Sequence, residues 1–165
     1  MKPFHETLAD DHQLKIYGYK TYRNCVEDFL ILKKQFGEYI KEKMEEFAGK
    51  EITNFNLDTY HLHLQELQLD HHEFMKTTGR KALGELLESR YIKNIIEIAN
   101  QDLDNDFHVY KDSIEFRVVR PSCEDNNDPH RDHWFPYFTP LVNIYIPLAS
   151  SFYDSALGIV PFSHD

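Results

Sequence analysis

His130, Arg131 and Asp132 form an H-x-D triplet that follows a polar loop and runs into His133, Trp134 and Phe135. Residues two apart on an extended chain project to the same side, so the imidazole of His130 and the carboxylate of Asp132 are presented together. An imidazole nitrogen and a carboxylate oxygen are two of the three donors in a site where two histidines and one carboxylate occupy one triangular face of an octahedral Fe(II). The other three positions stay open, as a chelating co-substrate plus O₂ requires. Taken alone, the triplet also describes a surface pair or a hydrogen-bonded turn.

Other histidines have weaker spacing. His61 and His63 in YHLHL, and His71 and His72 in LDHHEF, lie near Glu66 and Asp70 and offer donors of the kind zinc takes. On a helix, however, residues i and i+2 do not face each other, and HLH reads as one exposed and one half-buried histidine. Cys25 and Cys123 are far apart with no CxxC spacing, so neither a disulfide framework nor a cysteine zinc site is expected. The sequence contains no glycine-rich phosphate loop and no G-x-S-x-G elbow, which leaves nucleotide-binding and serine-hydrolase readings without residues to carry them.

Two kinds of element must position these groups. The first half is helical in pattern: Asn24 reads as an N-cap, and Val26, Phe29, Leu30, Phe36, Ile40, Met44 and Phe47 recur at three- and four-residue spacing up to Gly49. The charged residues between them read as the solvated face. A second helical region is expected from about Asp58 to about Lys76, and a third from about Gly84 to Ala99, with Leu86, Leu87, Tyr91, Ile92, Ile95, Ile96 and Ile98 as its apolar face. After Asp106 the pattern changes to period two. Ile114, Phe116 and Val118 alternate with Glu115 and Arg117; Val142, Ile144 and Ile146 alternate with Asn143 and Tyr145; and a third run spans Ala156 to Pro161. The expected fold class is therefore α+β, with helices packed on a sheet in one domain over 1–165, helical to 112 and strand-forming over 113–165.

The 165 residues carry 28 acidic and 18 basic side chains for a formal charge of -10, with 41% hydrophobic residues including 12 Phe and 10 Tyr. That is the profile of one globular domain, large enough to bury roughly 70% of its unfolded surface. The scattered basic residues and net acidity argue against nucleic acid as a partner. No apolar run approaches the ~20 residues of a membrane span or forms a secretion signal, and the two lone cysteines fit a cytoplasmic protein.

FRVVRP at 116–121, PHRDHW at 129–134, VNIYIPL at 142–148 and LGIVPFSH at 157–164 together resemble the phytanoyl-CoA dioxygenase family of Fe(II)/2-oxoglutarate-dependent oxygenases. The resemblance covers mainly 116–165. It implies a double-stranded β-helix (a cupin-like jelly roll) behind N-terminal helices, with His130 and Asp132 as catalytic iron ligands. It also implies oxidation of a small organic substrate by O₂, with 2-oxoglutarate as co-substrate. On this reading Val142, Ile144 and Ile146 face the helices, while Asn143, Tyr145 and Arg117 turn inward, able to bind the co-substrate. Arg117 also reads as one half of a surface salt bridge, and Trp134 and Phe135 as pocket wall or ordinary core. Phe162 departs from the family's P-G-S-H glycine. The family's second histidine ligand and its 2-oxoglutarate-binding arginine lie on later strands without counterpart here, so the chain reads as the front, apparently truncated portion of the fold. His164 matches the histidine of P-G-S-H, which is not a ligand in the family. Two rivals are a non-catalytic interaction module and a cupin-like metal protein using His130 and Asp132 with His133 or His164.

Overall fold

A stripe of apolar side chains at strict four-residue spacing, Leu32, Phe36, Ile40 and Met44, forms the buried face of the longest helix, and the molecule is organised around it. The computed structural model describes residues 9–17, 19–23, 25–78, 86–108, 116–123 and 142–149. Its helices are α1 (Gln13–Tyr17), α2 (Val26–Ala48), α3 (Tyr60–Leu67), α4 (His71–Thr78) and α5 (Arg90–Leu103), with single 3₁₀ turns at Leu57–Thr59 and Leu86–Glu88.

α2 ends where expected, at Gly49 in the left-handed conformation (φ 65°), whose N–H donates to the Glu45 carbonyl. Its start differs. Cys25 occupies the N-cap without a side-chain capping bond, and Glu27 and Asp28 in the first turn meet the positive end of the helix dipole instead; Asn24 lies outside the described residues. The buried stripe also differs from the expected face. Val26 and Leu30 are 69% and 56% exposed, whereas Leu32 is buried and the stripe begins with a carboxylate, Asp28. Lys34–Glu38 and Lys41–Glu45 pairs at 3.6 and 3.3 Å line the solvated side.

The second helical region is broken in two. Gln68 caps α3 in the left-handed conformation (φ 56°), and Asp70 starts α4 by accepting the Glu73 N–H at 2.8 Å. The break swings Phe74 back under α2, where it is fully buried with Phe47 edge-on at 5.9 Å and Tyr60 at 6.2 Å. α5 is capped by the Ser89 hydroxyl, which accepts from the Ile92 N–H at 3.3 Å, and runs past Ala99 to Leu103. Asn100 then holds the exit, its amide exchanging two hydrogen bonds with the backbone of Phe107 at 2.7 and 3.1 Å.

The expected α+β fold is overturned for the described residues: they contain no strand and no sheet, and hence no first strands of a jelly roll. Residues 116–120 and 142–148, two of the expected strands, are irregular segments. Their alternation is still used. Phe116, Val118, Ile146 and Leu148 pack against the helical core, with the Phe116 ring edge-on to Phe36 at 5.3 Å, while Arg117, Asn143 and Tyr145 are exposed. Period-two patterning reports which side chains face a neighbouring layer; it does not supply the backbone partners that make a sheet. Ile144, expected to face the helices, is 46% exposed. The run from Ala156 to Pro161 lies outside the described residues.

Candidate functional site

His130 and Asp132 lie outside the described residues, as do His133, Trp134, Phe135, Phe162 and His164. What is described are the segments on either side. Before the triplet, Phe116 and Val118 seat on the helical core and the chain turns at Pro121–Cys123, with Ser122 left-handed at φ 58°. After it, Ile146 and Leu148 seat on the same core. The H-x-D triplet is thus bracketed in sequence by two stretches anchored on one helical surface. The three side chains expected to bind the co-substrate belong to these stretches: Arg117, Asn143 and Tyr145 all face solvent, Tyr145 with 54% of its surface exposed. The described residues contain no sheet, and so among them there is no barrel interior for these side chains to face.

The remaining histidines separate rather than converge. His63 is buried against the Phe55 ring at 5.0 Å, and its Nε2 accepts the Asn56 N–H at 3.4 Å. Its Nδ1 has no hydrogen-bond partner, and the nearest carboxylate oxygen, on Glu66, is 4.0 Å away. His61, two residues earlier, is half-buried beside a small cleft. His71 is buried and shares a 3.3 Å hydrogen bond between its Nδ1 and the Tyr60 hydroxyl, while His72 is exposed. Among the described residues no three His, Cys, Asp or Glu side chains stand together as a metal site.

The densest polar cluster involves residues that sequence reasoning did not single out. Asp102, near the end of α5, accepts from three side chains of the N-terminal segment. His12 Nε2 and the Tyr22 hydroxyl reach Oδ2 at 3.0 and 2.7 Å, and the Lys20 ammonium takes Oδ1. The Leu14 N–H donates to His12 Nδ1 at 3.2 Å, which places the ring proton on Nε2, toward the carboxylate. Partial burial pushes the Asp102 carboxyl up, but Lys20, Tyr22 and His12 together outweigh it and hold it at about 2. Burial, and then the bond to Asp102 and its charge, push the Tyr22 phenol up. Both carboxylate oxygens and both imidazole nitrogens are committed within this cluster. It therefore reads as a tie between the N-terminal segment and α5, not as a catalytic constellation.

A second tie joins α2 to α5. Buried Asp28 accepts from the Asn94 amide at 3.2 Å and pairs with Arg90 Nε at 3.4 Å. Its sequence signal was readable: an acid at the head of the Leu32–Phe36–Ile40–Met44 stripe, at the same four-residue spacing. No comparable local signal marks His12, Lys20 or Tyr22, whose partner is 80 to 90 residues away. No family model matches the chain, and neither a characterised protein nor a solved structure matches it significantly.

Proposed function

We propose that the chain is a non-haem Fe(II)/2-oxoglutarate-dependent oxygenase that hydroxylates a small organic substrate, with His130 and Asp132 as two of the iron ligands. The observation that carries this reading is the H-x-D triplet, set between FRVVRP and VNIYIPL and followed by LGIVPFSH. The donor set fits the metal, since a neutral imidazole and a carboxylate are ligands that Fe(II) accepts on one face. Once bound, iron would supply activation of O₂ coupled to decarboxylation of 2-oxoglutarate.

The chain's own residues have separable tasks. His130 contributes a neutral nitrogen donor and Asp132 a negative oxygen donor, so the pair offsets one of the two positive charges of the ion. The flanking segments 116–120 and 142–148 pack on the helical core through Phe116, Val118, Ile146 and Leu148. The resemblance assigns co-substrate contacts to Asn143, Tyr145 and Arg117, whose exposed side chains carry an amide, a hydroxyl and a guanidinium, groups that hydrogen-bond carboxylate oxygens.

The test is turnover without added substrate. Purified protein incubated with Fe(II), 2-oxoglutarate and O₂ is expected to form succinate slowly, followed by NMR, and His130→Ala and Asp132→Ala are each expected to abolish it. Succinate formation that persists in both variants would remove these residues from the site. Its absence from the folded parent protein would favour a non-catalytic interaction module.

A further inference from the structure

His63 of α3 is buried, with 9% of its surface exposed, against the connection that leads into α3 from α2. The Asn56 N–H can only donate, so the Nε2 that accepts it at 3.4 Å carries no proton, and the ring proton of the neutral imidazole sits on Nδ1. Nδ1 is the one buried side-chain nitrogen or oxygen among the described residues without a hydrogen-bond partner. Buried polar atoms are nearly always paired, and an exception calls for a physical reason.

The two nitrogens respond in opposite ways to a second proton. On Nε2 it turns the acceptor of the Asn56 N–H into a donor, and that bond is lost. Nδ1–H then belongs to a cation, and the Glu66 carboxylate, its neighbour on the same helix face, already lies 4.0 Å away on an exposed side chain. No other charged group comes that close to the ring among the described residues. The connection meets it with Phe55 and Asn56, which do not titrate, while Asp58 is held by Lys33 of α2 at 3.1 Å. His61 is two positions away on α3 and projects elsewhere, and His71 of α4 bonds the Tyr60 hydroxyl. Asn56 also organises the connection: its side chain accepts the Asp58 N–H at 2.9 Å and its carbonyl the Thr59 N–H at 3.1 Å.

We propose that His63 is a proton-operated latch on the 55–59 connection. Neutral, it holds the Asn56 backbone through Nε2; protonated, it lets Asn56 go and pairs with Glu66 through Nδ1. Imidazole changes charge between about pH 5 and 8, so the latch is closed at the upper end of that range and open at the lower. Tyr60 and Leu64, buried in the core, keep α3 docked in both states. The latch uses neither His130 nor Asp132 and stands independently of the iron reading.

The test is an NMR titration of isotope-labelled protein from about pH 8 to about pH 5. At the alkaline end the His63 proton is expected on Nδ1, with Nε2 unprotonated. On acidification the Asn56 amide signal should shift in step with the His63 ring. Its hydrogen exchange, corrected for the intrinsic effect of pH, should quicken by roughly fivefold, as for the loss of one ordinary hydrogen bond. The Gly49 amide, bonded to the Glu45 carbonyl at 2.8 Å, is the reference and should not respond. His63→Gln, whose side-chain oxygen accepts the Asn56 N–H without titrating, should abolish the Asn56 response. Glu66→Gln should move it to lower pH, because the protonated ring loses its partner. A proton on Nε2 at the alkaline end, or an Asn56 amide that stays still while the ring titrates, would overturn the proposal. So would a response that survives His63→Gln, or one that Glu66→Gln leaves in place.

Discussion

The helical body from α2 to α5 and the two segments at 116–123 and 142–149 share one core but are built on different terms. Each helix satisfies its own backbone and needs only a stripe of side chains to dock, as Leu32, Phe36, Ile40 and Met44 do for α2. The later segments dock through Phe116, Val118, Ile146 and Leu148 without forming a regular element among the described residues. Stability is therefore expected to concentrate in the helical body, with the two later segments docked on it by a handful of side chains.

The largest effect expected is at the centre of the helical body. Phe74→Ala removes a ring with no exposed surface from between Phe47 and Tyr60 and should cost roughly 3–5 kcal/mol, read from urea unfolding. A loss below about 1 kcal/mol would mean that α4 is not part of the central core. Next comes the Asp102 tie. Asp102→Asn removes the charge that His12, Lys20 and Tyr22 share and should cost about 1–2 kcal/mol, appearing as faster amide exchange in α1 while α2 stays protected. Because the folded carboxyl sits at about 2, below its ordinary value near 3.9, its contribution is complete above about pH 4 and is lost as the pH falls toward 2. The variant should therefore lose the part of the parent's acid sensitivity that falls in that window, as monitored by exchange in α1 against pH.

Phe116→Ala probes the other region. The ring is only part-buried against Phe36, so the cost should be about 1 kcal/mol in unfolding, well below that of Phe74→Ala. Equal costs at the two positions would erase the distinction between scaffold and docked segment. The smallest effect is expected at Leu30, more than half exposed despite its place in the apolar repeat: Leu30→Lys should change stability by no more than about 0.5 kcal/mol. A loss of several kcal/mol there would restore the face that the apolar repeat of α2 implies.

These cases show what could be read in advance. The extent of α2 and its Gly49 stop were legible because both depend on residues a few positions apart. Leu30 misled because three- and four-residue spacings together describe a wide face, while only neighbours in space decide which part is covered. The break at Gln68 was not legible, since glutamine gives no turn signal, yet it takes the left-handed conformation that caps α3. The strands were over-read for the complementary reason: alternation marks a buried side, and pairing needs a partner that no local pattern names. Of the candidate site, the residue types and their spacing were readable, as was the seating of Phe116, Val118 and Ile146. The long-range tie through Asp102 was not.

The measurement that bears most directly on the proposed iron site is an anaerobic titration of the protein with Fe(II) and 2-oxoglutarate, followed in the visible range, alongside His130→Ala and Asp132→Ala with far-ultraviolet circular dichroism on all three. The account predicts a metal-to-oxoglutarate charge-transfer band in the parent protein, its loss in both variants, and unchanged helical signal throughout, because neither residue belongs to helices α1 to α5. A band that survives either substitution, or none from a folded parent protein, would contradict the assignment of His130 and Asp132 as iron ligands.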